Sequence, residues 1–151
     1  ILEMKHYLTE RNIVLIEDAA HAHGAKIDDL YAGNIGDMGC FSFFATKIMT
    51  TGGEGGMITT NDEGLYHLCS SIGAIGIDKQ VSVEIYPNAG SNNRMTEIQA
   101  LVGITQLRRL NSFVSHRNEV VHTYKALKNY DIFQLLDQKT SNTLHFSFLV
   151  I

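Results

Sequence analysis

The stretch Ile13-Val14-Leu15-Ile16-Glu17-Asp18 decides the fold class of this 151-residue chain. Four aliphatic residues in succession are typical of a strand that is buried on both faces, as in a parallel sheet. An amphipathic helix is predicted before the strand, over about residues 1–11. The strand ends in carboxylates, and ligands of open α/β sheets bind at the carboxyl ends of the strands. We therefore predict an α/β protein with a mainly parallel sheet, flanking helices and Asp18 at the ligand-binding edge.

The rest of the chain continues the alternation of strands and helices. Short strands are predicted at residues 40–44 and 57–60, with a Gly-rich turn between them. The next helix should begin at Asn61 or Asp62, because either side chain can cap it, and end near Ser71. An irregular region is expected at residues 19–38 and a long loop at 73–93. Two helices are expected at about 96–107 and about 112–129, and a final strand at 144–151.

The composition excludes several classes of protein. Hydrophobic residues make up 44% of the chain and charged residues 19%, which is not the composition of a disordered protein. Lys and Arg total 12 against 16 Asp and Glu, so the chain lacks the dense basic face of a nucleic-acid binder. The two cysteines cannot form a disulfide framework and predict a reduced, cytoplasmic protein. No apolar run is long enough to span a membrane. The first and last residues lead us to expect a piece of a longer protein.

A metal site is one interpretation of Asp18, His21 and His23, with Asp28 as a further ligand. The ligand types are suitable, but their spacing matches no established zinc motif. A carboxylate at a strand end also commonly accepts backbone N–H groups, which requires no metal. We therefore predict that the chain has no metal site.

The Gly-rich segment Thr50–Gly56 matches neither the dinucleotide-binding G-x-G-x-x-G motif nor a P-loop, because the spacing of both is wrong. Considered alone, it predicts a tight turn. Lys47, just before it, is either an ordinary surface lysine or a desolvated amine suited to Schiff-base chemistry. Asn92 is likewise either a helix cap or a ligand for an anion.

These residues are more informative as an ordered set than singly. Asp18 supplies a carboxylate at the end of one predicted strand. At the next strand, Ser42 supplies a hydroxyl and Lys47, five residues later, supplies an amine. Asn92 follows at the entrance of a helix. Pyridoxal phosphate (PLP) requires a lysine that binds it covalently, a carboxylate beside its pyridine nitrogen and donors for its phosphate. The set therefore indicates a PLP site.

Five segments of the chain resemble the DegT/DnrJ/EryC1/StrS family of sugar aminotransferases, PLP-dependent enzymes of fold type I. They are Ile16–Ala25, Gly36–Phe43, Ala45–Lys47, Thr50–Ile58 and Asn92–Ala100. The resemblance implies that residues 1–130 are the central and C-terminal part of the large PLP-binding domain. It also implies that residues 131–151 begin the small C-terminal domain.

The resemblance assigns roles to residues around the cofactor. Lys47 matches the lysine that binds PLP covalently and moves a proton during the reaction. Asp18 matches the carboxylate that keeps the pyridine nitrogen protonated, so that the ring withdraws electrons. Ala20 would pack against one face of the ring, and His21 occupies a position near its phenolic oxygen. Ser42 matches a hydroxyl that binds the phosphate.

The resemblance also implies a partner. Asn92 matches an asparagine that reaches the phosphate in the neighbouring subunit, which implies a homodimer with shared active sites. Asn93 departs from the family pattern, in which an aromatic residue is usual. Dehydratases of the family carry His in place of Lys47, so the lysine favours transamination.

The implied reaction transfers an amino group from an amino acid, expected to be glutamate, to a keto-sugar nucleotide. Cyclitols and aminobenzoate precursors are alternative acceptors within the family. A non-catalytic regulator of the same fold is another alternative, but such a protein need not keep Lys47, Asp18 and Ser42 together. The N-terminal phosphate-binding part of the family has no counterpart here, so we expect these 151 residues alone to be inactive or nearly so.

Overall fold

The computed structural model describes residues 1–126, which form two small sheets and three helices. In chain order the elements are α1 Leu2–Thr9, β1 Ile16–Asp18, β2 Lys26–Ile27, β3 Leu30–Tyr31, β4 Met38–Ser42, β5 Gly56–Thr60, α2 Glu63–Ile72 and α3 Glu97–Ala126. None of these helices is both long and apolar enough to cross a bilayer. The strand predicted over 144–151 and the region 131–151 lie outside the described residues.

The central sheet has the strand order β1-β4-β5 and is mixed. β1 and β4 run parallel, with Asp18 opposite Cys40. β5 runs antiparallel to β4, with Ser42 opposite Gly56, because no crossover helix lies between these two strands. The predicted α/β class is confirmed, although the sheet of residues 1–126 is not mainly parallel.

β1 begins later than the sequence predicts. The aliphatic run suggests a strand from Ile13, but β1 starts at Ile16 and continues through the carboxylates. Asn12 has a left-handed conformation with φ 53°, and Ile13 donates its N–H to the carbonyl of Leu8. The turn after α1 therefore extends into the apolar run. Ile13 and Val14 are 50% and 55% exposed, so the expectation of burial on both faces is wrong for these residues of the described part.

Two other elements differ from prediction, and one agrees. β2 and β3 form an antiparallel hairpin around Asp28, whose φ is 53°, inside the region expected to be irregular. Two-residue strands carry too little periodicity to be recognised in a sequence. α3 is one helix of 30 residues instead of two, since no Gly or Pro interrupts it near residue 112. α2 begins as predicted, with Asp62 accepting the N–H of Leu65 at 2.8 Å.

Glu17 lies buried in β1, with 6% of its surface exposed. Its carboxylate accepts the N–H groups of Gly33, Ile35 and Gly36 at 2.9, 2.7 and 2.6 Å. These residues connect β3 to β4, and a carboxylate at this depth requires such donors. Gly33 has φ 85°, and a Cβ at this position would lie 2.4 Å from the ring of Phe41. Glu17 thus joins β1 to a connection that approaches the sheet closely only because it contains glycine.

A second charged contact joins α1 to the start of β4. Lys5 Nζ lies 2.5 Å from Oδ1 of Asp37, and Asp37 Oδ2 accepts the N–H of Leu15 at 2.7 Å. The hydrogen bond from Lys5, and then the one from Leu15, lower the pKa of Asp37 below its ordinary value of 3.8. The pair therefore holds α1 beside the residue at which the chain enters β1.

Replacing Glu17 with Gln should lower the free energy of unfolding by about 2 kcal/mol. The amide keeps one acceptor oxygen but turns its own N–H groups toward backbone donors. Urea denaturation of E17Q measures the effect, with E3Q at an exposed position of α1 as the control. The control should stay within about 0.5 kcal/mol of the parent protein. Equal losses in the two variants would contradict the role given to Glu17.

The contact between Lys5 and Asp37 should make stability depend on acid pH. The pKa of Asp37 is lowered by folding, so the contact stabilises the protein above the ordinary value of 3.8 and is lost as the pH falls through the folded pKa. D37N has no ionisable group at this position. The difference in unfolding free energy between the parent and D37N should therefore shrink as the pH is lowered from about 5 to about 2. A difference that stays constant over this range would show that the ionised carboxylate is not what stabilises the fold.

Candidate active site

Asp18 is the last residue of β1 and lies at the carboxyl edge of the sheet. Successive residues of a strand face opposite sides of the sheet, so Asp18 faces away from the side on which Glu17 is buried. Asp18 is exposed, and its Oδ1 accepts the N–H of Ala20 at 3.0 Å. The structure therefore has a carboxylate at the strand end, where the sequence places it.

Ser42 ends β4 on the same face of the sheet as Asp18. Cys40 is the register partner of Asp18, and Ser42 lies two residues further along β4, where side chains return to the same face. The Ser42 hydroxyl accepts the N–H of Phe44 at 3.3 Å. A carboxylate and a hydroxyl thus occupy neighbouring strand ends on one face.

Lys47 lies in a loop between β4 and β5 that is closed at its base. Phe43 donates its N–H to the carbonyl of Gly55 at 2.8 Å, and its own carbonyl accepts the N–H of Thr51 at 3.2 Å. Phe44 and Gly53 form a further bridge. We call residues 43–55 the lysine loop. The Gly-rich segment is therefore the returning part of the loop that carries Lys47, and the prediction of a tight turn that joins two strands directly is wrong.

Within this loop, Lys47 reaches back to His21. Lys47 Nζ lies 2.6 Å from Nε2 of His21, although 26 residues separate them in the sequence. Lys47 is half-buried and His21 is exposed. None of the ion pairs found in residues 1–126 includes Lys47. The structure thus brings together the amine and the imidazole of the predicted set.

Two further residues hold the lysine loop, and neither was singled out in the sequence. Thr51 is buried, with 2% of its surface exposed, and its hydroxyl donates to the carbonyl of Glu54 at 2.9 Å. Gln99 in the first turn of α3 donates its amide N–H to the same carbonyl at 2.9 Å. The pattern Thr96-x-x-Gln99 has the spacing of a capping box, a signal that could have identified Gln99.

Asn92 precedes α3 and lines a cleft of this chain. It forms an isolated bridge with Ala74, and its side-chain oxygen accepts the Nε–H of Arg94 at 2.9 Å. Asn92 and Arg94 line an open cleft of about 810 Å³ that also includes Cys40 and Cys69. The other predicted site residues do not line this cleft. The structure therefore places Asn92 in a cleft that the set around Lys47 does not line.

The residues of the metal hypothesis have other environments. His23 is buried, with 2% exposed, and its ring lies 5.4 Å from the ring of Phe41 and 5.9 Å from that of Phe43. His21 contacts Lys47, and Asp28 lies in the β2–β3 turn. Across residues 1–126, no three His, Cys, Asp or Glu side chains are grouped so that they could hold a metal ion.

Comparison with known proteins identifies the family of this chain. A sequence model of the DegT/DnrJ/EryC1/StrS aminotransferase family matches residues 1–151. The chain belongs to this family. The family is one of PLP-dependent aminotransferases that also contains dehydratases, and solved relatives include an aminotransferase in its PLP form and a dehydratase with bound hydrated PLP. The type I aminotransferase fold expected from the sequence is confirmed by these structural relatives.

Three relatives show how much of the family this chain represents. GDP-perosamine synthase of Escherichia coli O157:H7 is 37% identical over 93% of this chain and 37% of the synthase. A putative L-glutamine:3-amino-2,3-dideoxy-scyllo-inosose aminotransferase of Micromonospora echinospora is 41% identical over 70% of this chain and 25% of that protein. The putative sugar aminotransferase Spr1654 of Streptococcus pneumoniae, in its PLP form, has a TM-score of 0.77 at 27% identity. That match covers 91% of this chain and 37% of Spr1654, so the chain spans no more than 37% of each of these three proteins.

The residues at the carboxyl edge of the sheet fit PLP. An exposed carboxylate and a hydroxyl end neighbouring parallel strands, and a half-buried amine follows the second of them in a closed loop. These are the three kinds of group that the pyridine nitrogen, the phosphate and the carbonyl of PLP require. Asp18, Ser42 and Lys47 would hold them, and the imidazole of His21 lies beside the amine.

Gly52 provides a test of the lysine loop. Its φ is 87°, yet a Cβ at this position would meet no atom within 4 Å, so G52A strains the backbone without a clash. We expect G52A to lower the free energy of unfolding by about 1 kcal/mol, and G52N to lower it less, because Asn adopts this conformation more readily. Urea denaturation measures both values. A loss for G52N equal to or larger than that for G52A would refute a purely conformational origin.

Proposed function

We propose that this chain contributes the catalytic lysine and several PLP-contacting residues of a sugar aminotransferase. The observation that carries the proposal is the placement of Asp18, Ser42 and the Lys47 loop after two adjacent parallel strands in a member of this family. Residues 1–130 would belong to the PLP-binding domain, and residues 131–151 would begin the small C-terminal domain. The activity requires the remaining part of a full-length family member.

Each side chain has a defined task in this proposal. When bound, PLP would supply a ring that withdraws electrons from the substrate carbon. Asp18 would place its negative charge against the pyridine nitrogen and hold a proton there. Lys47 would bind the cofactor through Nζ and, once released from it, accept and return a proton at the substrate carbon. Ser42 would donate its hydroxyl to the phosphate.

Two further side chains would contact the ring of PLP. His21, already within hydrogen-bonding distance of Lys47, would orient the amine and contact the phenolic oxygen. Ala20 follows Asp18 by two residues, and its N–H fixes the Asp18 carboxylate. Its small side chain would leave room for the cofactor ring on one face.

The acceptor that we propose is a keto-sugar nucleotide, with glutamate as the amino donor. The 37% identity with a GDP-perosamine synthase over almost the whole chain supports this choice. A cyclitol ketone is the second candidate, because a putative inosose aminotransferase is 41% identical over a shorter stretch. The name of that relative specifies glutamine as its donor, so donor and acceptor have to be tested together.

The proposed assembly is a cytoplasmic homodimer with shared active sites. Asn92 supports it, because this residue lies in a cleft that Lys47, Asp18 and Ser42 do not line. An asparagine that shares no cleft with the lysine of its own chain is available to the site of a partner.

Borohydride reduction in the presence of PLP tests the cofactor site in the full-length natural protein. We expect peptide mass spectrometry to find the pyridoxyl group mainly on Lys47, and K47R to abolish this adduct, because a guanidinium cannot bind the cofactor covalently. Exposed Lys79 is the internal control. D18N should reduce labelling of Lys47 less than K47R does. A pyridoxyl group distributed evenly over the lysines would overturn the cofactor assignment.

Addition of an amino donor separates an enzyme from a regulator. With glutamate or glutamine, a transaminase should lose the visible absorption of the lysine-bound cofactor, whereas a non-catalytic protein should keep it. Adding a keto-sugar nucleotide or a cyclitol ketone should then restore the absorption only for the true acceptor class. Retention of the colour with every donor would favour the non-catalytic alternative.

A further inference from the structure

The side chain of Gln99 connects two segments that are 45 residues apart in the sequence. Its Nε2 donates to the carbonyl of Glu54 in the lysine loop at 2.9 Å. Its Oε1 accepts both the N–H and the hydroxyl of Thr96, each at 2.9 Å. We call these contacts the Gln99 clamp. One amide group therefore binds the lysine loop on one side and the residue before α3 on the other.

On the lysine-loop side, the clamp acts on the closed base of the loop. The carbonyl of Glu54 accepts Gln99 and also the hydroxyl of Thr51, which fills both of its lone pairs. Thr51 in turn donates its N–H to Phe43, the residue that follows β4. The clamp thus fixes the segment that returns the chain from Lys47 to the sheet.

On the α3 side, the clamp fixes the segment that carries Asn92. The hydroxyl of Thr96 accepts the N–H of Gln99 at 3.3 Å while the Gln99 oxygen binds Thr96, which is a reciprocal cap. Asn92 and Arg94 precede this cap by four and two residues. Gln99 is half-buried and links the lysine loop to the segment that carries Asn92. The proposed function assigns both segments to the cofactor.

The contacts require an amide at this position. Thr96 presents donors and Glu54 presents an acceptor, so the side chain between them must accept at one atom and donate at another. Gln meets both demands, whereas Glu of the same length would place a carboxylate oxygen against the Glu54 carbonyl. Replacing Gln99 with Glu therefore removes the hydrogen bond to Glu54 and keeps the acceptor for Thr96.

We propose that Gln99 is a positioning residue that holds the lysine loop in register with the start of α3, so that Lys47 is placed to bind the cofactor. The inference rests on the proposed function, because PLP attachment is the step that the position of Lys47 would control. The side-chain hydrogen bonds of Gln99 go to Thr96 and Glu54, so Gln99 would act on Lys47 through the loop.

Three variants of the full-length natural protein test the clamp. Q99E removes the donor to Glu54 and keeps acceptors for Thr96. T96V removes the hydroxyl from the cap and keeps the contact with Glu54. Q106E makes the same amide-to-acid change two turns further along α3 and serves as the control for charge. Hydrogen exchange of the amides in residues 51–56 reports the order of the loop. The ratio of pyridoxyl adducts on Lys47 and Lys79 after borohydride reduction reports the placement of the amine.

The expected results distinguish positioning from general stability. Q99E should raise exchange in residues 51–56 by about three- to tenfold, the effect of one lost hydrogen bond. It should also lower the ratio of Lys47 to Lys79 adducts by at least about threefold, while T96V lowers this ratio less than Q99E does and Q106E leaves it within about twofold. A merely structural residue would change the unfolding midpoint without changing the ratio of two lysines in the same sample.

Two outcomes would overturn the inference. If Q99E matches Q106E in loop exchange, Gln99 does not hold the loop. If Q99E raises exchange but keeps the ratio of adducts, the clamp does not position Lys47. Absence of any preference for Lys47 in the parent protein would instead overturn the proposed function, so the two failures are distinguishable.

Discussion

The carboxylate of Glu17 and its three backbone donors are the contact on which the rest of the site depends. A charge with 6% exposure is tolerated only when donors replace water, and Gly33, Ile35 and Gly36 supply them. This requirement fixes the connection from β3 to β4 against β1. Because side chains alternate along a strand, burial of Glu17 on one face directs Asp18 to the other. Asp18 is the carboxylate proposed to contact the cofactor. Its orientation is thus a consequence of the burial of its neighbour Glu17.

The lysine loop is held by backbone hydrogen bonds at its base and, as at Glu17, by side chains that bond to backbone groups. A loop that leaves a sheet must satisfy its own polar groups. Phe43, Gly55 and Thr51 do so at the base, and Gln99 does so from α3. Glycines make the close turn possible, and the lysine is carried by a segment with defined ends. This arrangement reconciles a lysine outside regular secondary structure with the precise placement that the proposed chemistry requires.

Much of the site could be predicted because its chemistry is local in the sequence. Asp18, Ser42 and Lys47 are recognisable by residue type and order, and the structure places Asp18 and Ser42 at strand ends and Lys47 in the loop that follows Ser42. Elements that depend on distant contacts were less accessible. β1 starts at Ile16 because Ile13 is bonded back to α1, a contact that no periodicity reveals. The contact between His21 and Lys47, and that between Gln99 and Glu54, join residues far apart in the chain.

The sequence by itself determined the α/β class, the family and the set of groups suited to PLP, because these depend on residue identity and on spacing along the chain. Only the tertiary structure decided the mixed sheet, the single long α3 and the burial of Glu17 and Thr51. It also placed Asn92 in a cleft that Asp18, Ser42 and Lys47 do not line. The physical reason is that hydrogen bonds to backbone carbonyls and N–H groups carry no signature of residue type at the backbone end. A sequence shows one partner of such a bond, and the fold supplies the other.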